Sequence, residues 1–211
     1  MDKAIIFDFD GTIVDSFNLA LDIAYKLTKN PNLIDQDKVD QLRKMSIFKA
    51  ASEIGLPRRT WPSLLFKGKK MMTDRLLELE IFPGLENIIN WLYSYGFKLY
   101  IVSSNSKKNI SKVIQKNNLD QYFDGIYGGI GLLGKSKVLK IIMKQKHLQP
   151  SNVLYIGDET RDIDASNKVK IKSIAVSWGY MSKSLLAEHQ PWMLVDNVKQ
   201  LKKAIEIWKN S

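Results

Sequence analysis

Short apolar runs and amphipathic stretches alternate along most of the chain. AIIF (4–7), KLYIVS (98–103), GIYG (125–128), NVLYIG (152–157) and SIAVSW (173–178) have the length and the β-branched and aromatic content of strands, and MLV (193–195) is a candidate sixth. Between them apolar residues recur at helical spacing: LENIINWLYSYG closing on Gly96, KKNISKVIQKNN, SKVLKIIMKQKH, the DIDASNKVK segment and a final NVKQLKKAIEIWKN. Strand, helix, strand repeated in this way predicts parallel pairing with right-handed crossovers, hence an α/β fold with a doubly wound, Rossmann-like sheet. In such a sheet functional groups collect at the carboxyl ends of the strands.

One segment departs from the alternation. Residues 16–81 carry helix signals only: Leu19, Ile23 and Leu27 form one stripe with Ala20 and Ala24 beside it, and Val39 and Leu42 follow. Ser46 is placed to cap a short helix ended by Gly55, and a longer helical pattern runs from Thr60 to about Glu80. This predicts an all-helical domain, 16–81, inserted into an α/β core made of 1–15 and 82–211. Asp15-Ser16 and Pro83-Gly84 are the natural hinges.

Composition narrows the class. At 211 residues and 45% apolar content the chain can bury a full core. The absence of cysteine rules out disulfides and thiolate zinc sites. No apolar run has the length of a signal peptide or a membrane span, so a soluble, cytoplasmic protein with no membrane partner is expected. The formal charge of +10 raises nucleic acid as a partner. Its distribution argues otherwise, because basic runs never exceed two residues (Arg58-Arg59, Lys69-Lys70, Lys107-Lys108, Lys202-Lys203) and are not interleaved with aromatics. A solvated basic surface that attracts small anions fits better.

The residues just past the strands carry the chemistry. Asp8 and Asp10 follow the first run and Ser104-Asn105 the second; Gly134-Lys135 precede the fourth, and Gly157-Asp158 follow it, with Asp162 four residues on. In order, DFDGTIV, VSSN, GK and GDETRD resemble the four motifs of the haloacid dehalogenase superfamily, and the helical insertion is similar to that superfamily's small cap. Within the group the sequence resembles the phosphoglycolate phosphatase-like hydrolases.

The resemblance implies a Mg²⁺-dependent phosphatase that hydrolyses a small phosphomonoester through an aspartyl-phosphate. The metal would be held by Asp8, Asp158 and the backbone carbonyl of Asp10, because a hard cation is needed before a carboxylate can approach a phosphate dianion. Asp8 would be the nucleophile, and Asp10 the acid for the leaving alkoxide and then the base for water. Gly11, Ser104, Asn105 and Lys135 would bind the phosphoryl group, and Asp162 would orient a metal-bound water or Lys135. The lysine motif reads Gly-Lys-Ser-Lys, so Lys137 competes with Lys135 for its role.

Asp10 separates a phosphatase from the dehalogenases, which lack a carboxylate there. A sugar-phosphate mutase shares the core motifs, and a non-catalytic phosphate-ligand sensor would be marked by a lost nucleophile or metal ligand. Here Asp8 and Asp158 are both present. The partner expected is a small phosphorylated metabolite, nominally phosphoglycolate. Arg43, Lys44 and Ser46, at the junction of two predicted cap helices, are candidates to read its leaving group.

Overall fold

In the computed structural model, which describes residues 3–33, 35–131 and 134–210, the first apolar run becomes strand β1 (Ala4–Phe7). The insertion then contributes α1 (Phe17–Thr28), α2 (Gln36–Leu42), α3 (Ile47–Glu53) and α4 (Trp61–Asp74). The chain then alternates through α5 (Leu85–Ser94), β2 (Lys98–Val102), α6 (Lys107–Lys116), β3 (Gly125–Tyr127) and α7 (Lys135–Gln145). It closes with β4 (Val153–Gly157), α8 (Thr160–Lys168), β5 (Lys172–Val176), α9 (Lys183–Glu188), β6 (Met193–Val195) and α10 (Val198–Lys209).

The six strands pair in parallel in the order β3-β2-β1-β4-β5-β6. The chain therefore winds outward from β1 in one direction, then crosses to β4 and winds outward in the other. The crevice of a doubly wound sheet lies where that direction reverses, between the carboxyl ends of β1 and β4. Phe7 is in register with Ile156, so Asp8 falls opposite Gly157, next to Asp158 at the same end of the sheet.

Alternation along the strands feeds two cores. Ile5, Phe7, Leu99 and Ile156 face α5 and α10, where Leu85, Ile89, Leu201 and Trp208 are buried with them. Ala4, Ile6, Val102 and Tyr155 face the other side, against Leu139 and Ile142 of α7. Burial on both faces explains why these strands read as continuous apolar runs.

The helical insertion leaves and rejoins the core at one place. Val14 bridges Ile81, the Asp15 N–H donates to the Glu80 carbonyl at 2.9 Å, and the Phe82 N–H donates to the Ile13 carbonyl at 3.0 Å. The chain entering and the chain leaving the insertion thus pair in a single short stem. Within the insertion the apolar stripe of α1 buries Ile23, and Ser46 caps α3 by accepting the Lys49 N–H at 3.4 Å. The last helix is shorter than its pattern predicts, ending at Asp74 and followed by a 3₁₀ turn over Leu76–Glu78. That turn buries both Leu76 and Leu79 while Arg75 pairs with Asp22 of α1 and with Glu78. Among the described residues no helix is long and apolar enough to cross a membrane.

Candidate active site

The sheet's switch point places two carboxylates side by side. Asp8 continues the ladder, its N–H donating to the Ile156 carbonyl at 2.8 Å, while its side chain is buried and accepts the Phe9 N–H at 2.7 Å. Asp158 is fully buried; Thr12 Oγ1 donates to one of its oxygens at 2.7 Å and the Tyr180 N–H to the other at 2.8 Å. Gly11, expected on the phosphate, is what lets the turn after β1 close on Asp158. It has φ +75°, and a Cβ there would lie 2.2 Å from an Asp158 oxygen.

Lys135 opens α7 and reaches into the same crevice. Buried to 3% exposure, its Nζ donates to Asp8 at 2.6 Å and also to Asp162. Asp162 is held in turn by the Tyr155 hydroxyl at 3.2 Å and the Glu159 N–H at 3.0 Å. The structure thus places Lys135 against Asp8, with Asp162 holding it, whereas Lys137 is exposed.

Charge is unbalanced in this pocket of the core. Burial pushes the Asp8 carboxyl up to about 7 against the pull of Lys135. It pushes Asp158 well above the usual carboxylate range, with Glu159 and Asp8 adding to the effect. Burial by itself would lower Lys135, but Asp162 and Asp8 outweigh it and hold the ammonium. Asp8, Asp158 and Asp162 each offer an oxygen within 4.8 Å of the others, with one ammonium among them. Clustered hard oxygens with excess negative charge suit a hard divalent cation.

Asp10 stands apart from this cluster. Its carboxylate accepts from Asn105 Nδ2, 3.1 and 3.4 Å from its two oxygens. Burial raises its pKa, opposed by hydrogen bonds from Asn105 and Ser16. The side chain of Asn105 is therefore committed to protein partners, since its Oδ1 also accepts the Ser106 N–H at 2.9 Å and Asn109 Nδ2 at 3.1 Å. Ser104 is half-buried, and its neighbour Ser103 is the buried hydroxyl, accepting the Asn105 N–H at 3.1 Å. Ser103 directly follows β2 as Asp8 follows β1 and Asp158 follows β4.

The three insertion candidates separate. Arg43 follows α2; its Nη2 donates to the Gly179 carbonyl at 2.6 Å and its Nε to the Tyr180 carbonyl at 3.3 Å, with the guanidinium 5.0 Å from the Phe17 ring. Its own carbonyl accepts the Ser182 N–H at 2.9 Å. Arg43 thus fastens the insertion to the loop whose Tyr180 N–H holds Asp158, a bond that sequence spacing across 136 residues does not reveal. Lys44 is exposed, and Ser46 is an exposed helix cap.

A family model described as haloacid dehalogenase-like hydrolase matches residues 5–176. A phosphoglycolate phosphatase of Synechococcus elongatus is 35% identical over 195 residues, covering 91% of this chain and 92% of that protein. A phosphoglycolate phosphatase of Vibrio vulnificus is 26% identical, with 94% of each chain covered. Among solved structures, a haloacid dehalogenase-like family hydrolase from Streptococcus pneumoniae superposes with a TM-score of 0.79 at 21% identity, covering 97% of this chain and 98% of that one.

Proposed function

On the premise that this chain belongs to the haloacid dehalogenase-like hydrolase family, we propose that it is a Mg²⁺-dependent phosphatase for a small phosphomonoester, nominally phosphoglycolate, with Asp8 as its nucleophile. The observation that carries the reading is the buried Asp8 carboxylate at the β1/β4 crevice, in contact with Lys135 and clustered with Asp158. Asp8, Asp158 and the backbone carbonyl of Asp10 would hold the metal; Asp162, committed to Lys135, Tyr155 and Glu159, serves to fix the lysine. A Mg²⁺ ion bound there supplies the positive charge that offsets repulsion between a carboxylate and a phosphate dianion.

The chain's own residues do the rest. An Asp8 oxygen bonds to phosphorus as the ester P–O bond opposite it breaks, and Asp10 delivers its proton to the departing alkoxide. Asp10 then takes a proton from water, which attacks phosphorus of the aspartyl-phosphate and frees Asp8. Lys135 and the hydroxyls of Ser103 or Ser104 balance charge on the phosphoryl oxygens. The insertion, 16–81, acts as a cap over the crevice, seated by Arg43, and excludes water from the reacting groups. A screen of phosphorylated metabolites with and without Mg²⁺ tests the reading, with the highest kcat/KM expected for a small anionic alkyl phosphate. Hydrolysis at equal rates in a chelator would overturn it.

Metal binding also has a readout independent of turnover. The folded-state pKa of Asp8, about 7, lies above its ordinary 3.8, so the metal-free fold keeps a proton that the unfolded chain releases. This source of stability is fully present below about pH 4 and is lost as the pH rises through about 7. Binding a metal must displace that proton. The thermal midpoint should therefore rise with Mg²⁺ more at about pH 8 than at about pH 6, approaching about 2.7 kcal/mol of stabilisation at roughly a hundredfold excess over the dissociation constant. Asp158→Asn should lose the rise, and a wild-type midpoint indifferent to Mg²⁺ above pH 7 would contradict the metal assignment.

A further inference from the structure

The Asp10 carboxylate accepts from the Asn105 amide as well as from Ser16, and that amide is fixed from behind. Asn105 Oδ1 accepts from the Ser106 N–H at 2.9 Å and from Asn109 Nδ2 at 3.1 Å. Both acceptor directions are filled, so Nδ2 must face Asp10; a flipped amide would set its NH₂ against two donors and its oxygen against a carboxylate. The Asn105 backbone is pinned as well, its carbonyl accepting the Gly129 N–H at 2.6 Å.

Asn109 has a second attachment. It lies in the first turn of α6 at 8% exposure, a polar side chain on the helix face that also buries Ile110 and Val113. Burying an amide there costs free energy that an apolar residue would avoid, unless its hydrogen bonds are used. One N–H of Nδ2 goes to Asn105; the other goes to Thr73 Oγ1 at 2.9 Å. Thr73 is in the last turn of α4, in the insertion, and its hydroxyl donates to the Lys69 carbonyl at 2.9 Å. An unbroken run of hydrogen bonds therefore joins α4 to Asp10 by way of Thr73, Asn109 and Asn105.

We infer that Asn109 is a positioning residue that, through Asn105, keeps the Asp10 carboxylate aligned on the leaving group and, through Thr73, makes that alignment depend on α4 being seated against the core. The inference rests on Asp10 being the acid of the proposed phosphatase reaction. It assigns to the insertion a part in the chemistry besides covering the site. With α4 lifted, Asn109 loses the partner that orients its amide, its hold on Asn105 Oδ1 loosens and leaves the Ser106 N–H, and proton delivery falters while phosphoryl binding is untouched.

The test uses a leaving-group contrast in the full-length protein. Phosphoglycolate leaves as an alkoxide that requires a proton, whereas p-nitrophenyl phosphate leaves as a phenolate that scarcely does. Asn109→Leu keeps the branching at Cγ, with a somewhat bulkier side chain, and removes both donors. It should lower kcat on phosphoglycolate by more than about tenfold, with p-nitrophenyl phosphate changed by less than about threefold and KM by less than about twofold on either. Thr73→Val, on the exposed side of α4, should show the same split at about threefold, and Thr73→Ser should restore wild-type behaviour. Equal losses on the two substrates, or none, overturn the inference, and if Asn109→Leu does not fold the Thr73 pair decides in the same way. Asp10→Asn separates the two levels. Without a split in Asp10→Asn, Asp10 is not the acid and both assignments fall; with a split there and none in Asn109→Leu, only the positioning role falls.

Discussion

Asp8→Asn is expected to lower kcat by at least about a thousandfold, about 4 kcal/mol of transition-state stabilisation, while leaving the fold intact. The amide keeps the shape of the carboxylate and can still accept the Phe9 N–H with Oδ1. It cannot attack phosphorus, is a poor ligand for a hard cation, and turns an NH₂ toward Lys135 Nζ where an acceptor stood at 2.6 Å. The fold should tolerate this because Lys135 retains Asp162, and because removing a carboxylate that burial already pushes up to about 7 relieves desolvation. Steady-state rates together with thermal unfolding check both halves. A variant that unfolds at assay temperature, or one that turns over normally, would each contradict the role given to Asp8.

Lys135→Met should be the most damaging change for stability. The side chain is about as long as lysine but leaves Asp8 and Asp162 facing each other across the vacated position, both buried and with no ammonium between them. Breaking a buried ion pair by removing one partner typically costs about 3–5 kcal/mol. Part of that cost is relieved as the carboxyls take up protons, so the loss should be larger at pH 8 than at pH 6. Lys137→Met, two residues along and exposed, should stay within about 0.5 kcal/mol of wild type. Urea denaturation of the two variants in chelator gives the comparison; similar losses would mean that the buried cluster is not held together as described.

The sheet was legible because its strands are buried on both faces. AIIF and NVLYIG are short apolar runs bounded by polar residues, and they became β1 and β4 with little change in their limits. Asp8, Asp158 and Lys135 were legible for a related reason, since a charged residue directly after an apolar strand, or at the start of the next helix, is placed by topology. Features that depend on distant parts of the chain were not. Ser103 rather than Ser104 is the buried hydroxyl because β2 ends at Val102, and one residue of strand end cannot be read from KLYIVSSN. The SIAVSW strand ends at Val176, and beyond it Trp178 donates its Nε1–H to the Thr12 carbonyl at 3.3 Å. Helix α9, six residues long, left no periodic pattern, and its start is set by the Ser182 cap. Arg43 reads as a helix-end cation until the loop at 179–182 is brought to it. Asn109 reads as a polar interruption of an amphipathic helix until Thr73 and Asn105 appear on either side of it.

Rapid acid quench of the Mg²⁺-loaded protein during turnover of phosphoglycolate, followed by peptide mapping of bound phosphate, tests the central claim most directly. The account predicts phosphate on Asp8, as an acid-stable but base-labile acyl phosphate that disappears in Asp8→Asn. Phosphate on any other residue, or sustained turnover by Asp8→Asn at the wild-type rate, would contradict it.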